Sequence, residues 1–78
     1  MKENNIHLRK DEDYITLNVL LKLVDAIQTG GMAKIFLQEN TVLVNDTPEA
    51  RRGRKLYEGD KVIVNNQLYV ITKWGLII

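Results

Sequence analysis

The chain has 78 residues, 45% of them hydrophobic and 27% charged, which is enough for one small domain. Eleven basic against ten acidic residues leave a net charge of +1, a total that selects no partner, and the lack of Cys excludes a disulfide scaffold, a thiolate zinc site and a Cys nucleophile. With no Ser and a single His, Ser–His–Asp and Cys–His catalysis are excluded as well.

In chain order, Ile6 and Leu8 alternate with His7 and Arg9, the pattern of a short edge strand. Lys10-Asp11-Glu12-Asp13 reads as a charged turn. From Thr16 the period changes: Leu17, Leu20, Leu21, Val24 and Ile27 fall on one helical face, with Thr16 as the cap that accepts from an orphan backbone N–H. Gln28-Thr29-Gly30-Gly31 is expected to end this helix. A second helix is predicted over 32–39, with Ala33, Phe36 and Leu37 on one face and Asn40 closing it in left-handed geometry.

Strands follow. Residues 42–45 are β-branched and short, and Asp46-Thr47-Pro48 is a turn. Leu56-Tyr57 leads into the turn Glu58-Gly59-Asp60. Residues 61–64 form a strand, Asn65-Asn66 is a hairpin signal, and the strand returns over 68–72. The apolar end, Trp74-Gly75-Leu76-Ile77-Ile78, is expected to pack back on the domain or on a second copy. Two helices and a small antiparallel sheet make an α+β domain over 1–78. Its core must be compact, because a chain this short buries only ~60% of its unfolded surface.

Location follows from the same inventory. Small secreted domains usually carry disulfides, so the cytoplasm is expected. Apolar runs such as Val19-Leu20-Leu21 fall far short of the ~20 residues a membrane-spanning helix needs. The polar start Met1-Lys2-Glu3-Asn4-Asn5 does not read as a signal peptide.

Charge is uneven in place. Arg51-Arg52-Gly53-Arg54-Lys55 sets four cations in five residues. Phosphate oxygens relieve such repulsion well, because a guanidinium fork binds them through two parallel bonds. The run reads equally as a phosphate grip and as a solvated loop paired with Glu49, Glu58 and Asp60. Thr29-Gly30-Gly31-Met32-Ala33-Lys34 offers backbone amides at the start of a helix and a lysine one turn on. Taken alone it is more readily an ordinary helix–helix turn, and without Gly-Lys-Ser or Gly-Lys-Thr it is not a P-loop. His7 stands without a second metal ligand of its kind, and Asp11, Glu12 and Asp13 read as a solvated turn. Tyr57, Tyr69 and Trp74 are able to stack on bases but sit at positions that are more often core or rim.

Joined in order, these segments resemble the S4 RNA-binding domain. Ala33, Phe36-Leu37, Val42-Leu43-Val44-Asn45, Leu56 and Gly59-Asp60-Lys61-Val62 carry the resemblance, which covers about 15–65. Thr29-Gly30-Gly31-Met32-Ala33-Lys34 and Arg51-Arg52-Gly53-Arg54-Lys55-Leu56 look like the corresponding motifs of small stand-alone bacterial S4-domain proteins of the YaaA/YbcJ type. Asn40 and Asp46 stand where the family usually has Gly. The resemblance implies two helices packed on a bent antiparallel sheet. It also implies one basic face that brings Thr29, Gly30, Gly31 and Lys34 to Arg51, Arg52, Arg54 and Lys55. A face of that kind implies contact with structured RNA, ribosomal RNA first, through backbone and shape, and through it with the ribosome or a ribosome-associated protein. No cofactor, metal, membrane or catalytic step is implied.

Two other functions remain open from the sequence. S4-like domains sit beside catalytic domains in pseudouridine synthases and tyrosyl-tRNA synthetases, so the chain is alternatively an accessory module that recruits a separate RNA-modifying enzyme or another protein. A protein-interaction domain or small-molecule enzyme without RNA is the third reading, weakened for an enzyme by the missing nucleophiles.

Overall fold

The computed structural model describes residues 3–73, so Trp74, Leu76, Ile77 and Ile78, whose packing was at issue, lie outside the described residues. Strand β1 (Glu3–Leu8) is followed by the short β2 (Tyr14–Thr16), which runs directly into helix α1 (Leu17–Leu23). A 3-10 turn over Gly30–Met32 opens helix α2 (Ala33–Glu39). Five strands complete the described residues: β3 (Leu43–Val44), β4 (Thr47–Pro48), β5 (Lys55–Tyr57), β6 (Lys61–Val64) and β7 (Gln67–Lys73). The α+β class stands.

The larger sheet has the order β1-β7-β6-β3-β4, and β2 pairs with β5 in a separate ribbon. β1 is an edge strand, as its alternation predicts. The large sheet is not wholly antiparallel, however: β1 runs parallel to β7, from Glu3 beside Leu68 to Leu8 beside Lys73. Parallel neighbours need a long connection, and here the rest of the domain supplies it.

α1 opens as predicted, with Thr16 Oγ1 accepting from the Val19 amide at 3.3 Å. It stops well before the glycines. Asp25 takes φ 60°, and the amides of Asp25 and Ala26 turn back to the carbonyls of Lys22 and Leu21. Asp tolerates this left-handed geometry, so the helix ends there. Ile27 is nevertheless buried, because the curled chain returns it to the core. Asn40 is extended (φ −132°, ψ 140°) rather than left-handed. Its side-chain amide and its backbone amide both donate to the Phe36 carbonyl, which closes α2 without a left-handed residue.

Asn45 (φ 51°) and Asp46 (φ 69°) form the two-residue turn between β3 and β4, so Thr47 and Pro48 pair as strand instead of belonging to the turn. Asn65 (φ 51°) and Asn66 (φ 64°) make the second such hairpin, where the sequence places it. Asp60 clasps these pieces: its carboxylate accepts from Asn45 Nδ2 at 3.1 Å and from the Tyr57 amide at 2.8 Å.

Leu17, Leu20 and Leu21 of α1 and Ala33 and Leu37 of α2 meet Val44, Val62, Val64 and Ile71 of the sheet in one core. Ile15 and Leu56 bring the ribbon into it. Burying only the central residue of β5 leaves Lys55 and Tyr57 outside, because successive strand side chains face opposite ways. Truncating the fully buried Leu56 to Ala costs about 2–5 kcal/mol. Among the described residues no helix is long and apolar enough to cross a membrane.

Candidate nucleic-acid interface

An α-helix leaves its first backbone N–H groups without intrahelical partners. In α1 two of them go to the basic loop. Leu17 donates to the Arg54 carbonyl at 2.8 Å and Asn18 to the Arg52 carbonyl at 2.9 Å. The loop is therefore tethered through its carbonyls. Arg51, Arg52 and Lys55 are exposed, and Arg54 is half-buried.

Glu49 organises two of the arginines. Its side chain, only 8% exposed, accepts from Arg51 Nε and Nη2, both at 3.1 Å, and from Arg54 Nη1 at 2.8 Å. The Arg51 amide adds a fourth bond at 3.0 Å. These donors, the Arg51 side chain first, lower the carboxyl from its ordinary 4.5 to about 2, although its burial works the other way. The four cations with Glu49 leave this loop a net charge of +3. Glu58 and Asp60, the other expected partners, form no ion pair with the loop among the described residues. Arg52 makes no side-chain hydrogen bond or ion pair among them.

The Thr29–Lys34 segment lies on the other side of Asn18. Thr29 is exposed and extended, and its carbonyl accepts from the Met32 amide at 3.1 Å. A methyl group added at Gly30 would lie 3.2 Å from Asn18 Nδ2, whereas one added at Gly31 would meet nothing within 4 Å among the described residues beyond its chain neighbours. Lys34 is exposed near the start of α2. No hydrogen bond or ion pair joins it to the arginines among the described residues. The loop and the glycine turn thus meet at Asn18, through its backbone on one side and its side chain on the other.

Sequence reasoning missed Asn18. The available signal was a polar residue at the start of an otherwise apolar helix. Its Oδ1 is buried without a hydrogen-bond partner among the described residues.

Beside the loop, Tyr14 and Tyr57 pair across β2 and β5 with ring centroids 5.6 Å apart and planes at 47°. Lys55 Nζ stands 5.0 Å from the Tyr14 centroid, a cation–π arrangement. Tyr57, expected at core or rim, is 48% exposed.

The family model of the S4 domain matches residues 6–72 of this chain. Over 52 residues the chain is 65% identical to the protein of Bacillus subtilis (strain 168) named "Probable ribosome maturation protein RlbA", a match covering 67% of this chain and 73% of that protein.

Proposed function

From the premise that this chain belongs to the S4 domain family, we propose that it is a non-catalytic RNA-binding protein of the bacterial cytoplasm that grips structured RNA, ribosomal RNA foremost. Arg51, Arg52, Arg54 and Lys55 contact phosphates. Lys34 contacts a neighbouring phosphate, and Thr29, Gly30 and Gly31 let the RNA backbone come close. The observation that carries this reading is the net +3 loop whose carbonyls are tied to α1. Anchoring the backbone while leaving cations outside reduces the ordering that binding an anion would otherwise require. The relative's printed name, a ribosome maturation protein, supports ribosomal RNA over other structured RNA.

The test is binding to folded ribosomal RNA fragments across a salt series. Three to five phosphate contacts give a log–log slope of roughly −2 to −4. Arg52→Ala is expected to flatten that slope by about one contact while leaving the domain folded. Salt-independent or negligible binding to every fragment would overturn the reading and favour a protein partner.

A further inference from the structure

The outer face of the β2–β5 ribbon carries chemistry that a grip on phosphates does not use. Strand alternation buries Ile15 and Leu56 and leaves Tyr14 and Tyr57 outside, opposite one another. Lys55 lies over the Tyr14 ring, so Tyr57 is the ring with surface to offer. Tyr57 also lines a cleft of about 450 Å³ together with Arg51, Gly53, Arg54 and Lys55. That volume is in the range of sites that hold small organic groups. An aromatic ring and the cationic loop therefore share one concavity. The bonds to Glu49 leave Arg51 Nη1 and Arg54 Nε and Nη2 unused among the described residues.

An aromatic ring beside guanidinium groups matches one nucleotide in its two parts, base and phosphate. A continuous A-form helix cannot present a base in this way, because its bases are stacked on each other. Resting on the RNA-binding reading above, we propose that Tyr57 stacks on an unpaired base, with Arg51 and Arg54 on the phosphate of that nucleotide. The ligand is then a junction between paired and unpaired RNA, not a continuous duplex. Tyr14 backs Tyr57 from the neighbouring strand, and Gly53 lets the sugar–phosphate backbone pass close to the loop.

Two RNA hairpins test this, identical except that one carries a single bulged 2-aminopurine. The wild-type chain is expected to prefer the bulged hairpin and to change the 2-aminopurine fluorescence on binding. Tyr57→Ala should lose about 5- to 150-fold in affinity for the bulged hairpin, the range for one stacked base, with the salt slope unchanged. Tyr57→Phe should retain both affinity and signal, since stacking needs the ring and not the hydroxyl. If Tyr57→Ala unfolds, the wild-type comparison of the two hairpins and its fluorescence signal decide. Equal wild-type affinity for both hairpins with unchanged fluorescence overturns the stacking and leaves the phosphate grip standing. Binding to neither hairpin while folded ribosomal RNA fragments still bind overturns the stacking alone, and binding to none of these RNAs overturns the RNA reading and the stacking with it.

Discussion

The backbone amide of Asn18 donates to the carbonyl of Arg52 at 2.9 Å, while the Asn18 side chain lies against Gly30. One residue of α1 thus holds together two segments that are more than twenty positions apart in the chain. The bond to Arg52 uses only main-chain atoms, so it survives any substitution at either position that keeps the N–H.

That separation of backbone from side chain gives the first prediction. Asn18→Ala removes a buried oxygen that has no partner among the described residues and installs the strongest helix former. The melting temperature is expected to hold or rise. A loss exceeding about 1 kcal/mol would show that Oδ1 is satisfied by an ordered water.

Arg52 and Arg54 should behave differently although both lie in the same loop. Arg52→Ala removes an exposed cation with no partner among the described residues, so stability stays and RNA affinity falls. Arg54→Ala takes the 2.8 Å bond from the largely buried Glu49 and should cost about 1–2 kcal/mol of stability. Replacing Arg51, Arg52 and Arg54 together would leave Glu49 with only the Arg51 backbone amide and mix unfolding with lost contacts. Denaturant titration beside RNA titration separates the effects, and equal stability of the two single variants would contradict the assigned role of Glu49.

The carboxyl of Glu49 also predicts a pH dependence. Its value near 2 in the fold is below its ordinary 4.5, so the unfolded chain takes up this proton more readily than the folded one. The stabilisation is complete above pH about 4.5 and disappears as pH falls through about 2. Glu49→Gln should lower stability at neutral pH and flatten the acid limb of a plot of unfolding midpoint against pH. A limb as steep as in the wild type would assign the acid sensitivity to other groups. The same substitution raises the loop charge, so it should steepen the salt dependence of RNA binding by up to about one contact.

Gly31 distinguishes the fold's requirements from the ligand's. Among the described residues a methyl group there meets no atom within 4 Å beyond its chain neighbours, so Gly31→Ala should stabilise the domain by about 0.4–1 kcal/mol through the unfolded state. If RNA backbone approaches this turn, the same methyl group weakens binding several-fold. Isothermal titration with the ribosomal RNA fragments provides the check, and unchanged affinity would remove Gly31 from the interface.

Local chemistry made part of this molecule legible in its sequence. Thr16 before an apolar helical face, Asn65-Asn66 between two strands and the alternation at Ile6 and Leu8 each mark their element through short-range preferences. The basic loop is visible as a peak of charge. What stayed hidden depends on distant partners. β2 is three residues long and exists because Lys55, Leu56 and Tyr57 lie beside it. α1 ends at Leu23, ahead of left-handed Asp25, while its apolar spacing continues to Ile27, since the curled chain reproduces the helical pattern of burial. The tether from Asn18 to Arg52 uses main-chain atoms, to which no residue type corresponds. Glu49 was expected among three partners of the loop, but only the fold selects it and largely buries it.

The parallel pairing of β1 with β7 orders events during synthesis. Glu3 lacks its β-sheet neighbour until Leu68 has been made, so β1, translated before the other described strands, is the last of them able to join the sheet. Closing so long a loop adds entropy cost and raises the contact order, which slows folding. The arginine loop and the helix amides that anchor it are complete in the nascent chain before β7 is translated, so the candidate RNA grip is synthesised ahead of the strand that seats β1 at the sheet's edge.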